Sequence, residues 1–218
     1  MDFRLNREID IPLSRVTLQG ELIIPLKANA IVVFSHGSGS SRFSSRNRQV
    51  ARYLQEKNIG TLLFDLLTGE EDEDYSNRFD INLLSKRLAG ATEWLEALPA
   101  AKECRIGYFG ASTGAASALR AAAIMPRIAA VVSRGGRPDL ALDILPKVLA
   151  PTLLIVGSLD NEVLEMNEEA FANIHCEKKL EVVEGATHLF EEPGKMEIVS
   201  KLAGDWFEKH LTGVKTPN

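Results

Sequence analysis

The sequence predicts an α/β fold: a doubly wound, mostly parallel sheet with an antiparallel N-terminal edge hairpin. Three patterns carry that expectation. Strict alternation of apolar and polar residues is confined to residues 3–24, short and nearly continuous apolar runs follow, and helical stripes separate those runs. Strands alternating with helices imply βαβ units joined by right-handed crossovers, which place helices on both faces of the sheet. At 218 residues the chain can bury most of its apolar surface around one core, and no linker, repeat or low-complexity tract divides it. Residues 1–218 are therefore expected to form one domain, with no cap domain inserted.

Taken in order, Phe3, Leu5, Ile9 and Ile11 alternate with Arg4, Asn6, Glu8 and Asp10, and beyond Pro12-Leu13-Ser14 the residues Val16, Leu18, Leu22 and Ile24 follow the same rule. Alternation on both sides of a turn describes an antiparallel pair with one wet face at a sheet edge. The runs 31–34, 61–67, 105–109, 128–132, 152–156 and 180–183 are nearly all apolar and suit strands buried on both faces. Between them, Ile81, Leu84, Leu88, Ala91, Leu95 and Leu98 step along one helical face. An Ala-rich helix runs to Met125. Val163, Met166, Ala170 and Ile174 mark another helix, and Ile198, Leu202 and Trp206 a last one with Pro193 at its first turn. Trp94, Trp206, Met125 and Met166 read as packing residues. The acidic run 70–74 reads as a solvated loop.

Composition removes several function classes. A net charge of −5 and a pI near 5.5 disfavour a nucleic-acid backbone or an anionic membrane as partner. The first eight residues lack the apolar core of a signal peptide, and no apolar run approaches a bilayer's span. Cys104 and Cys176 lack metal or redox spacing and are expected to be buried, reduced thiols. The chain reads as soluble and cytoplasmic, with no metal or organic cofactor required.

Gly110-Ala111-Ser112-Thr113-Gly114 stands between an apolar strand and an Ala-rich helix. In that setting a G-x-S-x-G sequence is a nucleophile elbow: a serine pinched into a sharp turn presents Oγ above the sheet edge. Its glycines are needed because a Cβ at either position would collide with the adjoining strand or helix. A serine hydroxyl needs a base, and the base needs an orienting carboxylate. His188 follows a strand and a small-residue loop, whereas His36 precedes the elbow, His175 lies in a helical stripe and His210 near the last helix's end. Chain order Ser, Asp, His then points to Asp160 directly after the strand at 152–156, with Asp139 as runner-up. A helix N-cap is the competing role for Asp160. For the oxyanion, the expected donors are the N–H of Thr113 and that of Ser38 in the small-residue loop 35–41. A phosphate-binding loop there would need a lysine the segment lacks.

Together the elbow, the His36-Gly37-x-Gly39 loop, the Gly157-x-x-Asp160 step and the Gly185-x-x-His188 step resemble the α/β-hydrolase superfamily. The compact length most resembles its dienelactone hydrolase-like branch. The resemblance implies Ser112 as nucleophile, Asp160 as acid, His188 as base and the Ser38 and Thr113 amides as oxyanion hole. Dienelactone hydrolases proper carry cysteine at the elbow; serine here carries over a serine esterase or lactonase acting on a small ester, lactone or thioester. A non-catalytic binding protein of the same fold and an acyltransferase using the same intermediate are the alternatives. Arginines 134, 137, 42, 46 and 48 fall in loops expected at the sheet's carboxyl edge, and Arg134 with Arg42 is expected to hold an anionic group on the substrate. Pairing with a carboxylate such as Asp139 is the competing role.

Overall fold

The computed structural model describes residues 2–213. Strands β1 (Phe3–Pro12) and β2 (Thr17–Pro25) pair antiparallel, and β2 pairs antiparallel with β4 (Gly60–Phe64). Strands β3 (Ala30–Ser35), β5 (Arg105–Ala111), β6 (Ala130–Arg134), β7 (Thr152–Gly157) and β8 (Lys178–Val183) continue the sheet in parallel, in the order β1-β2-β4-β3-β5-β6-β7-β8. The edge hairpin and the parallel core are those the sequence predicts.

Helices cover both faces. On one, Val32, Phe34, Phe109, Val132 and Ile155 pack with Val50, Leu54, Val199 and Phe207 of α1 (Ser45–Glu56) and α6 (Lys195–Phe207). On the other, Ile31, Val33, Tyr108, Val131 and Leu154 pack with residues of α3 (Ile81–Ala97), α4 (Thr113–Ile124) and α5 (Asn161–Asn173). Successive residues of each central strand thus face different helices, which is why those strands have no polar alternate positions.

Several boundaries differ from expectation. Strand β4 stops at Phe64, short of 67, and Leu66 and Leu67 stay buried in the loop that follows. Strand β6 ends at Arg134, so that residue lies in the sheet and not in a loop. Strand β8 is the sheet's far edge, where no further strand pairs with it among the described residues, and Lys179 and Val182 are exposed. The acidic run forms a short helix, α2 (Gly69–Glu73), opened by a Thr68–Glu71 capping box. Glu71 and Asp72 pair with Arg87 and Arg78, so the run is tethered. Helix α5 ends before His175, and α6 starts after a Gly194 cap, leaving Pro193 outside its first turn. Cys104 and Cys176 are unpaired and half-buried, and burial pushes both thiol pKa values up. Among the described residues no helix is long and apolar enough to cross a membrane.

From β3 the chain crosses through α1 to β4 on one side, then returns through α3 to β5 on the other. The carboxyl ends of β3 and β5 therefore flank a switch point, where the outgoing loops diverge and leave a crevice. Closing it requires α4 to start hard against the end of β3. A Cβ on Gly114 would lie 2.1 Å from Ser35 O and 2.5 Å from His36 O. Gly114→Ala is expected to cost about 3 kcal/mol of overpacking, seen as a fall in Tm of roughly 6–12 °C in calorimetry.

Candidate active site

Ser112 sits between β5 and α4 with φ 51° and ψ −123°, a left-handed-side conformation that costs a non-glycine residue about 1–3 kcal/mol. Its surroundings hold it there. Its N–H donates to Arg134 O at 3.2 Å, and its carbonyl accepts from the Ala115 and Arg137 N–H groups, each at 3.0 Å. The second elbow glycine is equally constrained: a Cβ on Gly110 would lie 2.5 Å from Ala115 Cα. The serine side chain makes no capping bond to α4.

Asp160 occupies the N-cap position of α5, yet its side chain makes no cap bond there. Instead Oδ2 lies 2.6 Å from His188 Nδ1. The two loops are stitched together: Ser158 Oγ accepts from Gly185 N–H at 2.7 Å, and Leu159 N–H donates to Ala186 O at 3.0 Å. Thr187 N–H and Oγ1 both bond the Glu192 carboxylate, and buried Phe190, itself at φ 56°, anchors the far side of the His188 turn. The His188 loop meets the turn at Ser112 through β6. A Cβ on Gly135 would lie 3.1 Å from His188 O and 3.6 Å from its Cε1, while the preceding residue, Arg134, holds the Ser112 amide. Among the described residues no hydrogen bond joins the Ser112 hydroxyl to His188. Asp139, the runner-up acid, is taken by Arg137 in a two-pronged pair at 2.9 and 2.8 Å.

His36 has a different role. Its Nε2 accepts from Leu66 N–H at 3.1 Å and its Nδ1 faces Gly37 O at 2.9 Å, so the proton is on Nδ1 and both nitrogens are satisfied. The ring pins the loop 36–39 to the end of β4. In that loop a Cβ on Gly37 would lie 3.1 Å from Ser112 Cβ. Thr113 begins α4, where an N–H has no intrahelical acceptor. The Ser38 amide, expected to face a reacting carbonyl, donates instead to Thr113 Oγ1 at 2.8 Å. One proton cannot serve two acceptors at full strength.

Arg42 is likewise engaged. Its backbone N–H donates to Asp65 Oδ1 at 2.7 Å and its guanidinium pairs with the same carboxylate, leaving little for a substrate. Among the described residues no carboxylate pairs with Arg134. Its neighbour Arg46 is among the arginines expected near this edge, but Asn47, beside it at the start of α1, went unnoticed in the sequence, although a Ser44 cap ahead of Val50, Ala51 and Leu54 marks that helix. Beside the loop 36–39 lies a polar cavity of about 180 Å³ lined by His36, Ser40, Ser41, Asp65, Thr68 and Asp72 among others. A larger groove, about 890 Å³, runs between the 12–15 turn and α3 and shares no residue with the site. Among the described residues no group of His, Cys, Asp and Glu could hold a metal ion.

Burial lowers the pKa of His36 from its ordinary 6.5. As pH falls below that value, the unfolded chain takes up a proton the folded ring resists, so stability present above pH 6.5 is lost toward the lower folded value. Urea unfolding of His36→Gln between pH 7.5 and 5 should show a shallower loss than wild type. His210, also lowered by burial, keeps its share in both proteins.

Comparison with known proteins bears on the family and the fold. A sequence profile of the dienelactone hydrolase family matches residues 18–215. Proteins from two strains of Mycobacterium tuberculosis, provisionally named phosphoribosyl transferase, are 56% identical over 210 residues, which is 95% of this chain. The chain spans 47% of their length, about half. Among solved structures, the dienelactone hydrolase of Anabaena variabilis superimposes with a TM-score of 0.92 at 51% identity, over 95% of this chain and 98% of that one. The Pyrococcus furiosus esterase Pf2001 shares the fold, with a TM-score of 0.75 at 19% identity over 95% and 91% of the two chains. A matching profile over most of the sequence, a close relative of the same length and a sheet of the α/β-hydrolase type place this chain in the dienelactone hydrolase family.

Proposed function

We propose that the chain is a serine hydrolase that cleaves a small carboxylic ester or lactone through an acyl-enzyme on Ser112. The observation that carries this reading is the 2.6 Å contact of Asp160 with His188 Nδ1, on a loop packed beside the residue that bonds the strained Ser112 amide. An ionised carboxylate only accepts, so Nδ1 bears the proton and Nε2 is the bare nitrogen. In the proposed mechanism Ser112 Oγ attacks the substrate carbonyl while His188 Nε2 takes its proton. Negative charge develops on the carbonyl oxygen and is met by the Thr113 N–H at the α4 N-terminus. The Ser38 N–H joins it once the Thr113 hydroxyl turns away. Collapse expels the alkoxide, which takes the proton from His188, and water repeats the cycle to free the acid.

Support for hydrolysis comes from the family, whose named members include a dienelactone hydrolase, and from the serine at the elbow. The name phosphoribosyl transferase belongs to relatives about twice as long, and we read it as describing the half of them that this chain does not match. Acyl transfer or thioester hydrolysis would use the same intermediate. Ser112→Ala is expected to lower kcat by about a million-fold, and Asp160→Asn by about ten-thousand-fold with the fold intact. Mass spectrometry after a fluorophosphonate probe should find one adduct, on Ser112. A Ser112→Ala protein that keeps a few per cent of activity would remove the mechanism.

A further inference from the structure

The polar cavity beside the loop 36–39 is shaped for a ligand without charge. Its walls include His36, Ser40, Ser41, Asp65, Thr68 and Asp72, and Leu67 is their one large apolar residue. Two carboxylates and an imidazole would draw a cation, but their charges are already cancelled. Asp65 is held by Arg42, and Asp72 by Arg78 through a two-pronged pair with both contacts at 2.8 Å. Burial keeps His36 neutral, and both of its ring nitrogens are spent. An anion fares no better, because no lysine or arginine is among the lining residues and the two nearby guanidinium groups are turned to their carboxylates.

What stays free is hydroxyl chemistry. Ser40 is held by its backbone N–H on Gly37 O at 3.1 Å, and its Oγ bonds no other group among the described residues. Ser41 Oγ accepts from Phe43 N–H and Thr68 Oγ1 from Glu71 N–H, so each keeps its own O–H to donate. The carboxylate oxygens of Asp65 and Asp72 retain lone pairs beyond those their arginines use. Donors and acceptors in one small cavity match a group that is both at once, a hydroxyl. At about 180 Å³ there is room for several waters or a short polyol.

Position says which part of a substrate reaches it. The lining residues follow β3 and β4, whereas His188 follows β8, and the strand that carries Ser112, β5, lies between them. A narrower recess lined by Gly37, Ser38 and Gly39 shares His36, Leu67 and Asp72 with the cavity and continues it along the loop. That recess ends beside Ser112, since a Cβ on Gly37 would lie 3.1 Å from Ser112 Cβ. In the proposed mechanism the leaving oxygen must meet His188 Nε2, on the β8 side. The β4 side is left to the acyl part.

We infer that this cavity is an acyl subsite for neutral hydroxyl groups, and that the substrate is an ester or lactone of a polyhydroxylated carboxylic acid. This rests on Ser112 being the nucleophile and names the substrate class of that reading.

Two lactones of equal ring size, D-glucono-1,5-lactone and δ-valerolactone, test it when each kcat/KM is divided by the rate constant of spontaneous hydrolysis. A few neutral hydrogen bonds should give a hydroxylated-over-plain ratio of about tenfold or more in wild type. Ser40→Ala should lower that ratio severalfold. Gly69 lines the cavity where a Cβ meets nothing within 4 Å, so Gly69→Leu should narrow it and bring the ratio near one. Xylitol should inhibit δ-valerolactone hydrolysis competitively in wild type and not in Gly69→Leu. A wild-type ratio near one, or a ratio that both variants leave unchanged, overturns the subsite. So does a preference for glycerol monobutyrate over propyl butyrate, hydroxylated on the alcohol part, without one between the lactones. Should Gly69→Leu fail to fold, Ser40→Ala and Ser40→Leu decide by the same ratio. Failure of wild type to cleave either lactone counts against the Ser112 reading. The subsite is then judged by whether xylitol raises Tm in wild type but not in the cavity variants, and no such difference overturns it.

Discussion

The close approach of helix α4 to the end of β3 is the constraint on which the site depends. Gly114 lies where any side chain would strike the Ser35 and His36 carbonyls. Removing that side chain lets β5 turn into α4 directly beside the loop 36–39, so Ser112 and Gly37 come within a methyl group of each other. The sharp turn in turn forces Ser112 to φ 51°, and bonds from Ala115, Arg134 and Arg137 keep it from relaxing. Strain of this kind persists only when the surroundings over-determine it. The ends of β3, β5 and β6 thereby act as one platform, and the β7 and β8 loops are fastened to it through the Gly135–His188 contact.

Much of this was legible in the sequence because the signals are local. Alternation gave the hairpin, and the central strands are apolar at every position because both faces are covered. The pairing of Asp160 with His188 followed from strand ends and chain order, although 28 positions separate them. Helix α1 escaped notice because its apolar face amounts to Val50, Ala51 and Leu54 within an otherwise polar stretch. The edge position of β8 depends on what lies beside it, which its own residues do not encode. Charge pairing was the least legible. Arg42 finds Asp65 and Arg137 finds Asp139, while Arg134, in a similar-looking stretch, finds neither. Such choices depend on where side chains leave the sheet. A shift of two residues in the end of β6 moved Arg134 from a solvated loop to the protein interior.

Two histidines at the same sheet edge are held in different ways. His36 and His188 both carry the proton on Nδ1, the first toward the Gly37 carbonyl and the second toward Asp160. In His36 the bare Nε2 is consumed by the Leu66 N–H, and desolvation keeps the ring neutral. In His188 the side chain is 37% exposed, and Nε2 has no protein partner among the described residues. His188 Nε2 is thus open for the role the proposed mechanism gives it, whereas His36 cannot use its Nε2 without breaking the bond that fixes its loop. Asp160 reaches His188 by forgoing its cap. A side-chain cap at that position would stabilise α5 by about 1 kcal/mol. The carboxylate instead faces the imidazole. The mechanism proposed above rests on that contact, which a side-chain cap would have consumed.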